Sequence, residues 1–410
     1  MSAGRAGRGD GVAALSLAGF VVLGLPDGMW GTAWPAIRRT YGQPVGDLGL
    51  LLVAVTAGAL LTSLTTARAV RRFGASASLA SAAACGALAA GLLVAVRSWW
   101  AVVGAAFLIG ATAGVLDAAL NTLVAMSGRM RLLNMLHGAY GVGTALGPLV
   151  VTGALLLGSW RPAYAALLAL EVLLGAGWLL AGPRRARAGA GTAAPHAGPD
   201  AAAPAHPRAA ARLGVLVFFA YTGLEVTAGQ WAATYLRGPI GLSAASAGAV
   251  VFAYWGALTA GRFAVAVPRR TPAPARLVRY GTLVALAGTL LIWWHPGRAA
   301  LVVGIAVLGA SLAPVFPALV ALTPARVGAA RAHRVIGWQI AAAGVGGAAV
   351  SAATGLVLQR AGLGAYPPVL AVTAAAVVLL ALVLETLTRP GPAPGGAGLP
   401  VGAAAEPRAC

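Results

Sequence analysis

One stretch of the sequence occurs twice, and it decides the fold. Residues 58–72 read GALLTSLTTARAVRR, and residues 256–270 read GALTAGRFAVAVPRR. Both copies begin with Gly-Ala-Leu and end with Arg-Arg, at an offset of 198 residues. The same offset carries Asp27 onto Glu225. A chain that repeats itself in this way is expected to fold as two similar halves in the same orientation.

The composition around this repeat is that of an integral membrane protein. The chain has 410 residues, of which 59% are hydrophobic and 9% charged, whereas a soluble domain carries about 25% charged residues. A helix needs roughly 20 apolar residues to cross a bilayer. The apolar runs are long and do not alternate with polar residues, which excludes a transmembrane barrel. We therefore expect an all-α membrane protein.

Breaks at Arg, Pro and Asp clusters define twelve apolar segments in two sets of six. They lie at residues 12–37, 47–67, 76–96, 99–124, 132–157, 162–182, 213–236, 243–267, 277–294, 299–322, 334–358 and 365–387. Residues 1–182 form the predicted N-terminal half and 213–387 the C-terminal half. The linker 183–212 and the tail 388–410, rich in Ala, Pro and Gly, are predicted to be disordered. Parallel six-helix repeats are typical of secondary transporters with a site at the midplane.

The distribution of arginine predicts the orientation in the membrane. All basic residues are arginine, and the formal net charge is +20. Only seven arginines fall on one side of the predicted spans: Arg38, Arg39, Arg97, Arg161, Arg237, Arg298 and Arg360. The positive-inside rule then places both termini and the linker in the cytoplasm, for a multi-pass protein of the cell membrane. Because the arginines flank apolar segments, we interpret them as orienting charges and expect no nucleic-acid partner.

Acidic residues inside the predicted helices mark candidate functional positions, since an acid costs about 2.5–3.5 kcal/mol at mid-bilayer. Asp117 is the first candidate for proton coupling. Gly110, Gly114, Asp117 and Asn121 lie on one helical stripe. The glycines would allow a close helix approach while the carboxyl and amide face a cavity. The alternative is that Asp117 holds two helices together through hydrogen bonds.

Asp27 is the second candidate, within GLPDGMWGTAWP at 24–35. We expect Pro26, Gly28 and Pro35 to interrupt the first helix. An acid beside aromatic rings suits a sugar-like ligand, because rings stack on apolar sugar faces and carboxylates accept from hydroxyls. Trp34 is accordingly predicted to contact substrate, with an interfacial belt as the equally weighted alternative.

Glu225 is the third candidate for proton coupling. Tyr221 lies one turn away on the same helical face, and Gln230 and Trp231 follow as predicted substrate contacts. The sequence indicates no arginine at mid-membrane to pair with Glu225. Glu171, in contrast, has no polar neighbour at helical spacing and is interpreted as a packing contact.

Further predicted substrate contacts come from the fifth, eighth and eleventh segments. Asn134, His137 and Tyr140 lie close together on one helix, although His137 could equally be a neutral histidine between helices. Tyr254 and Gln339 are weaker candidates. Six arginines are predicted to form a cytoplasmic gate, with anchoring at helix ends as the alternative: Arg68, Arg71, Arg72, Arg262, Arg269 and Arg270.

The sequence contains no Walker loop, zinc-ligand spacing or nucleophile elbow. We therefore predict no enzyme activity, no metal and no cofactor. Transport would be driven by an ion gradient, with protons as the coupling ion.

Together these residues resemble the major facilitator superfamily, and within it the fucose-permease-like branch. The resemblance rests on the two sets of six segments, the acid of the first helix before Pro35, Asp117-x-x-x-Asn121, LNMLHGAYGVGTALGP at 133–148 and GLEVTAGQWAATYL at 223–236. It implies an alternating-access symporter, with Asp117 as the proton-coupling acid of the fourth helix and Asn121 as the amide one turn on. It also implies a monomer.

The leading hypothesis is proton-coupled uptake of a sugar-like or other small polar solute. Drug or metabolite efflux by proton antiport would use the same fold. A transport-inactive membrane receptor is a third reading, which predicts that Asp117→Asn alters no flux.

Overall fold

The computed structural model describes residues 3–126, 130–181, 206–266 and 272–389, and these form helices without any strand. The helices are α1 Ala3–Tyr41, α2 Leu48–Phe73, α3 Ala75–Ala95, α4 Trp99–Met126, α5 Met130–Leu156, α6 Arg161–Leu180, α7 Pro207–Arg237, α8 Ala244–Ala266, α9 Pro274–Trp294, α10 Arg298–Leu312, α11 Val315–Val327, α12 Ala329–Ala361 and α13 Tyr366–Leu387. Helices α10 and α11 form one span, so the described chain has twelve spans long and apolar enough to cross a membrane. The all-α prediction is confirmed.

Proline affects two spans differently from the prediction. Helix α1 runs without interruption through Pro26 and Pro35, so the expected break in the first segment is wrong. Membrane helices tolerate proline where neighbouring groups satisfy the freed backbone. The tenth span, predicted as one helix, divides instead at Ala313 and Pro314.

The boundary between the halves lies partly outside the described residues. Helix α7 begins at Pro207, so residues 207–212 are helical rather than part of the predicted linker. The rest of that linker, 183–205, and the tail from 390 lie outside the described residues, and their predicted disorder stays a prediction.

Matching close contacts in the two halves show that the repeat is structural. A Cβ added to Gly110 of α4 would lie 1.8 Å from the carbonyl oxygen of Val55 in α2. A Cβ on Gly309 of α10 would lie 2.4 Å from the carbonyl oxygen of Tyr254 in α8. Both partners are related by an offset of 199 residues. Only glycine permits backbones to approach so closely, so each half contains the same helix crossing.

The two halves meet between α5 and α8, between α2 and α12, and between α1 and α7. We call the side where α1 begins the N-terminal face and the other side the opposite face. Between α5 and α8, contacts run from Thr152 against Gly248 to Gly138 against Phe263, near the N-terminal face. Between α2 and α12, the close contact of Gly49 with Ala352 lies at the opposite face.

Candidate functional site

A cavity of about 310 Å³ lies between the two halves. Its polar lining consists of Asp27, Thr56, Tyr140 and Thr144 from the first half and Thr222, Glu225, Gln230, Thr259 and Arg262 from the second, together with the ring of Trp255. The remaining lining is mostly aliphatic. A mainly apolar cavity with a few convergent polar groups is the usual form of a small-molecule site.

The carboxylate of the first half belongs to Asp27, near the middle of α1. The hydroxyl of Tyr140 in α5 donates a hydrogen bond to its Oδ2. Gln230 Nε2 of the other half donates to the backbone oxygen of Asp27 at 2.7 Å. Among the described residues, no arginine forms an ion pair with this carboxylate. Asp27 is therefore a carboxyl without a cation partner, held where the halves touch.

The carboxylate of the second half belongs to Glu225, and its surroundings differ. Arg262 Nη2 of α8 lies 3.1 Å from Glu225 Oε1, and both side chains are mostly buried. The hydroxyl of Tyr221 donates to Glu225 Oε2 at 2.5 Å, and that of Tyr254 to the backbone oxygen of Glu225 at 2.8 Å. The expectation that no mid-membrane arginine pairs with Glu225 is wrong.

Arg262 belongs to the predicted cytoplasmic gate together with Arg269 and Arg270 of the same half. It lies four residues before Ala266, where α8 ends, which is about 6 Å at 1.5 Å per residue. Arg262 therefore lies about one helical turn inside the end of α8. It lines the central cavity, which corrects its assignment to the gate.

Asp117 and Asn121 share a helical face as predicted, and Asn121 Nδ2 donates to Asp117 Oδ1 at 2.9 Å. Asp117 is exposed and does not line the central cavity. It lies one turn from Ala113, which does, in the direction of the N-terminal face. His137 lies one turn from Tyr140 in the same direction and is close enough to Asp117 for an electrostatic interaction.

Several predicted substrate contacts lie away from the cavity. The indole of Trp34 is fully buried and donates to the backbone oxygen of Val45 at 3.0 Å, so it forms neither an exposed belt nor a cavity wall. Trp231 Nε1 donates to Ser351. Gln339 accepts from Thr323. These three side chains support helix packing in this conformation.

The remaining gate arginines are less informative. Arg68, Arg71 and Arg72 at the end of α2 are exposed, and no ion pair involving them occurs within the described part of the chain. Arg269 and Arg270 lie outside the described residues, as does the side chain of Asn134.

Sequence reasoning missed the four cavity threonines. Thr144 lies four residues after Tyr140, Thr222 three before Glu225, and Thr259 three before Arg262. For these three threonines, helical spacing from the charged or aromatic residue was the signal that could have found them, whereas Thr56 has no such residue at that spacing. Thr222 Oγ1 and Gln230 Oε1 are buried without a hydrogen-bond partner among the described residues, so both are available to a ligand.

The cavity is closed toward the opposite face. Gly46 and Gly49 pack on the end of α12, and Gly31 packs on the backbone of Gln230. Toward the N-terminal face, α2 and α12 separate: Thr56 and Gly344 line the cavity. The central cavity is therefore closed at one face and not at the other in this conformation.

The family model of the Major Facilitator Superfamily matches residues 16–297 of the chain. The protein belongs to this superfamily and is a membrane transporter rather than an enzyme. No curated protein sequence matches it.

Among solved structures, the chain is similar to the nucleoside transporter NupG, with 15% identity, a TM-score of 0.70, and coverage of 92% of this chain and 99% of that one. It is also similar to FucP, the E. coli fucose:proton symporter, with 16% identity, a TM-score of 0.58, and coverage of 91% and 98%. The human organic anion transporter MFSD10 has 15% identity, a TM-score of 0.58, and coverage of 92% and 99%. Because the identities are only 15–16%, these similarities establish the fold alone.

Proposed function

We propose that the protein is a proton-coupled importer of small, neutral, hydroxyl-rich solutes of the sugar or nucleoside class. The observation that carries this proposal is the pair of unpartnered polar atoms, Gln230 Oε1 and Thr222 Oγ1, in the cavity that Asp27 also lines. Buried polar atoms are almost always hydrogen-bonded. A solute with several hydroxyl groups would supply the missing partners.

The charges of the cavity favour a neutral solute bound together with a proton. Glu225 and Arg262 compensate each other, so Asp27 is left as the uncompensated charge of the lining. Once Asp27 binds a proton, the lining carries no net charge. Trp255 offers an aromatic face for the apolar side of a sugar or a base. The printed functions of FucP and NupG, a fucose:proton symporter and a nucleoside transporter, agree with this class.

The proposal also specifies the coupling ion, the working unit and the orientation in the membrane. The coupling ion is the proton, no cofactor takes part, and the monomer is the working unit. We propose that the N-terminal face is cytoplasmic in the cell membrane, so that the structure represents an inward-facing state. Asp117 and His137, one turn from the cavity toward that face, are proposed to exchange the proton with the cytoplasm.

The test is proton movement in proteoliposomes that contain the full chain and an internal pH indicator. Monosaccharides, polyols and nucleosides are added singly, beside a lipophilic cation. Wild type is compared with Asp27→Asn, Asp117→Asn and the control Asp47→Asn, which changes an acid that lies just before α2 and does not line the central cavity.

We expect one class of neutral solute to drive acidification in wild type and in Asp47→Asn, but not in Asp27→Asn. If only the lipophilic cation moves protons, and moves them in the opposite direction, efflux by antiport replaces the proposal. Solute binding without any flux in wild type would favour the receptor reading.

A further inference from the structure

We propose that Glu171 is a second proton-binding carboxyl, connected to Asp27 through a small internal cavity, so that the first half stores a proton away from the substrate. This inference rests on the proposed proton coupling and extends it to a residue outside the substrate cavity. Glu171 lies in the middle of α6, which does not border the central cavity.

Asp27 and Glu171 line the same small cavity of about 20 Å³ inside the first half. Such a volume has room for about one water molecule. Thr112 adds a hydroxyl to the wall, whereas the other side chains are mainly aliphatic. Asp27, Val55 and Ala113 line this cavity and the central one as well. Asp27 therefore stands between the substrate and Glu171.

Glu171 lacks the contacts of a structural acid. Its side chain is buried, with 4% of the residue exposed. Its Oε2 has no hydrogen-bond partner, and no arginine pairs with it among the described residues. A buried carboxylate without a partner is costly, whereas a carboxylic acid that holds a proton is much less so.

Gly86 of α3 creates the space for this carboxyl. A Cβ at Gly86 would lie 2.6 Å from Cδ of Glu171. Any larger residue would push the carboxyl from its place. The packing of α3 on α6 therefore accommodates the acid where a bulkier residue would exclude it.

The chemistry of the walls favours a proton over a metal ion. Hard cations such as Ca²⁺ take six to eight oxygen ligands, and the small cavity offers two carboxyl groups and one hydroxyl among its lining side chains. A proton needs a single oxygen. In the transfer, the O–H bond of the Asp27 acid breaks and a water takes that proton while giving another to the Glu171 carboxylate. Asp27 ends as carboxylate and Glu171 as acid, without oxidation or reduction.

Infrared difference spectroscopy of the full chain in lipid tests this without knowledge of the substrate. The carbonyl stretch of protonated carboxyl groups is recorded over a pH series for wild type, Glu171→Gln, Asp27→Asn and the control Asp47→Asn. We expect Glu171→Gln to remove one band that Asp47→Asn retains. We expect Asp27→Asn to remove another band and to shift the pH midpoint of the Glu171 band. An unchanged spectrum in Glu171→Gln, or an unmoved midpoint in Asp27→Asn, overturns the proposal.

Two glycine variants retain Glu171 and test whether the infrared changes could arise from a general folding defect. Gly86→Ala displaces the Glu171 carboxyl, so its infrared band is expected to shift. Gly91→Ala is the matched control on the same helix, because a Cβ there meets nothing within 4 Å. Identical spectra for Gly86→Ala and Gly91→Ala would contradict the assignment of the band to the Glu171 carboxyl beside Gly86.

A transport measurement separates this inference from the proposed function. In Glu171→Gln we expect proton-driven uptake to fall about tenfold, the equivalent of 1.4 kcal/mol, while solute exchange at equal pH persists. If wild type couples to protons and Glu171→Gln couples equally well, the proton store is wrong and the proposed function stands. If no solute moves protons in wild type, the proposed function fails whatever the infrared bands show.

Discussion

Asp27 and Glu225 occupy equivalent positions in the two halves, yet their surroundings differ. Asp27 receives a hydrogen bond from Tyr140 of another helix. Glu225 receives one from Tyr221 of its own helix and an ion pair from Arg262 at 3.1 Å. At the offset of 199 residues that relates Val55 of α2 to Tyr254 of α8, the counterpart of Arg262 in the first half is Ser63, so the first half has no equivalent cation at this position.

This difference shows how a repeated scaffold divides its functions. The crossing of α2 with α4 matches that of α8 with α10, and both halves place an acid within their first helix. The partners of the two acids differ: Glu225 is held in an ion pair with Arg262, whereas Asp27 is hydrogen-bonded to a tyrosine and has no arginine partner among the described residues. Under the proposed proton coupling, the first half would carry the proton and the second would hold the cavity together.

The largest effect is expected when the cation of the second half is removed. Arg262→Met leaves Glu225 unpaired in a mostly buried site. Breaking a fully buried ion pair costs about 3–5 kcal/mol, and we expect about 3 kcal/mol because the two side chains keep 27% and 12% of their exposure. Thermal unfolding of the purified protein measures the loss.

The double variant Arg262→Met/Glu225→Gln is the control for this effect. It removes both charges, so we expect most of the stability to return while transport remains impaired. If the double variant is as unstable as the single one, the loss arises from packing and the ion pair contributes little.

The next test compares the two tyrosines. Tyr140→Phe removes the hydrogen bond to Asp27, and hydrogen bonds to charged groups contribute about 1.5–3 kcal/mol. We expect proton-driven uptake to fall about tenfold, with solute exchange at equal pH preserved. Tyr221→Phe leaves Glu225 its ion pair, so coupling should change less than in Tyr140→Phe.

Tyr164→Phe is the matched control in the same half, because the Tyr164 hydroxyl is buried without a partner in the described structure. It should transport as wild type does. Equal losses in Tyr140→Phe and Tyr221→Phe would remove the functional difference between the halves.

Much of this fold was predictable because the apolar segments are long and the sequence of the first half is partly repeated in the second. Twelve apolar segments and the matching Gly-Ala-Leu and Arg-Arg ends sufficed for two six-helix halves. The effect of proline was not predictable: Pro35 lies inside a continuous helix, whereas Pro314 accompanies a break. Neighbouring helices decide whether the freed backbone groups are satisfied, and a single sequence does not show those neighbours.

The sequence pointed to some of the polar residues that line the central cavity, but Asp117, the first candidate, lies outside it. Asp27, Glu225 and Gln230 were identified because polar residues in apolar segments are conspicuous, and the structure brings them to one cavity. Trp34 and Trp231 were equally conspicuous but pack inside the protein. Which face of a helix meets the cavity depends on the crossing geometry, so aromatic residues of one segment cannot be assigned from the sequence alone.

A third prediction concerns the closed face, to which both halves contribute. Gly49→Leu forces a side chain against Ala352, whose Cα lies 2.6 Å from the position of a Cβ. Overpacking costs about 1–3 kcal/mol, and we expect this cost to open the opposite face. A cysteine at Thr56, in a variant without the native cysteines, should then react with an impermeant thiol reagent from that face. Gly153→Leu, where a Cβ meets nothing within 4 Å, should not change the labelling.

The smallest effect is expected for Arg68→Gln, which separates two arginines that the sequence placed in one group. Arg68 is exposed and has no ion pair within the described residues, and surface substitutions of this kind usually change stability by less than about 0.5 kcal/mol. We expect thermal unfolding as in wild type, measured beside Arg262→Met. The transport rate of Arg68→Gln at saturating solute should also equal that of wild type. A loss of transport without a loss of stability would instead show that Arg68 acts in a different conformation, in which the N-terminal face is closed. In that conformation the ends of α2 and α12 at this face would approach each other, so that Arg68 could form contacts that this structure lacks.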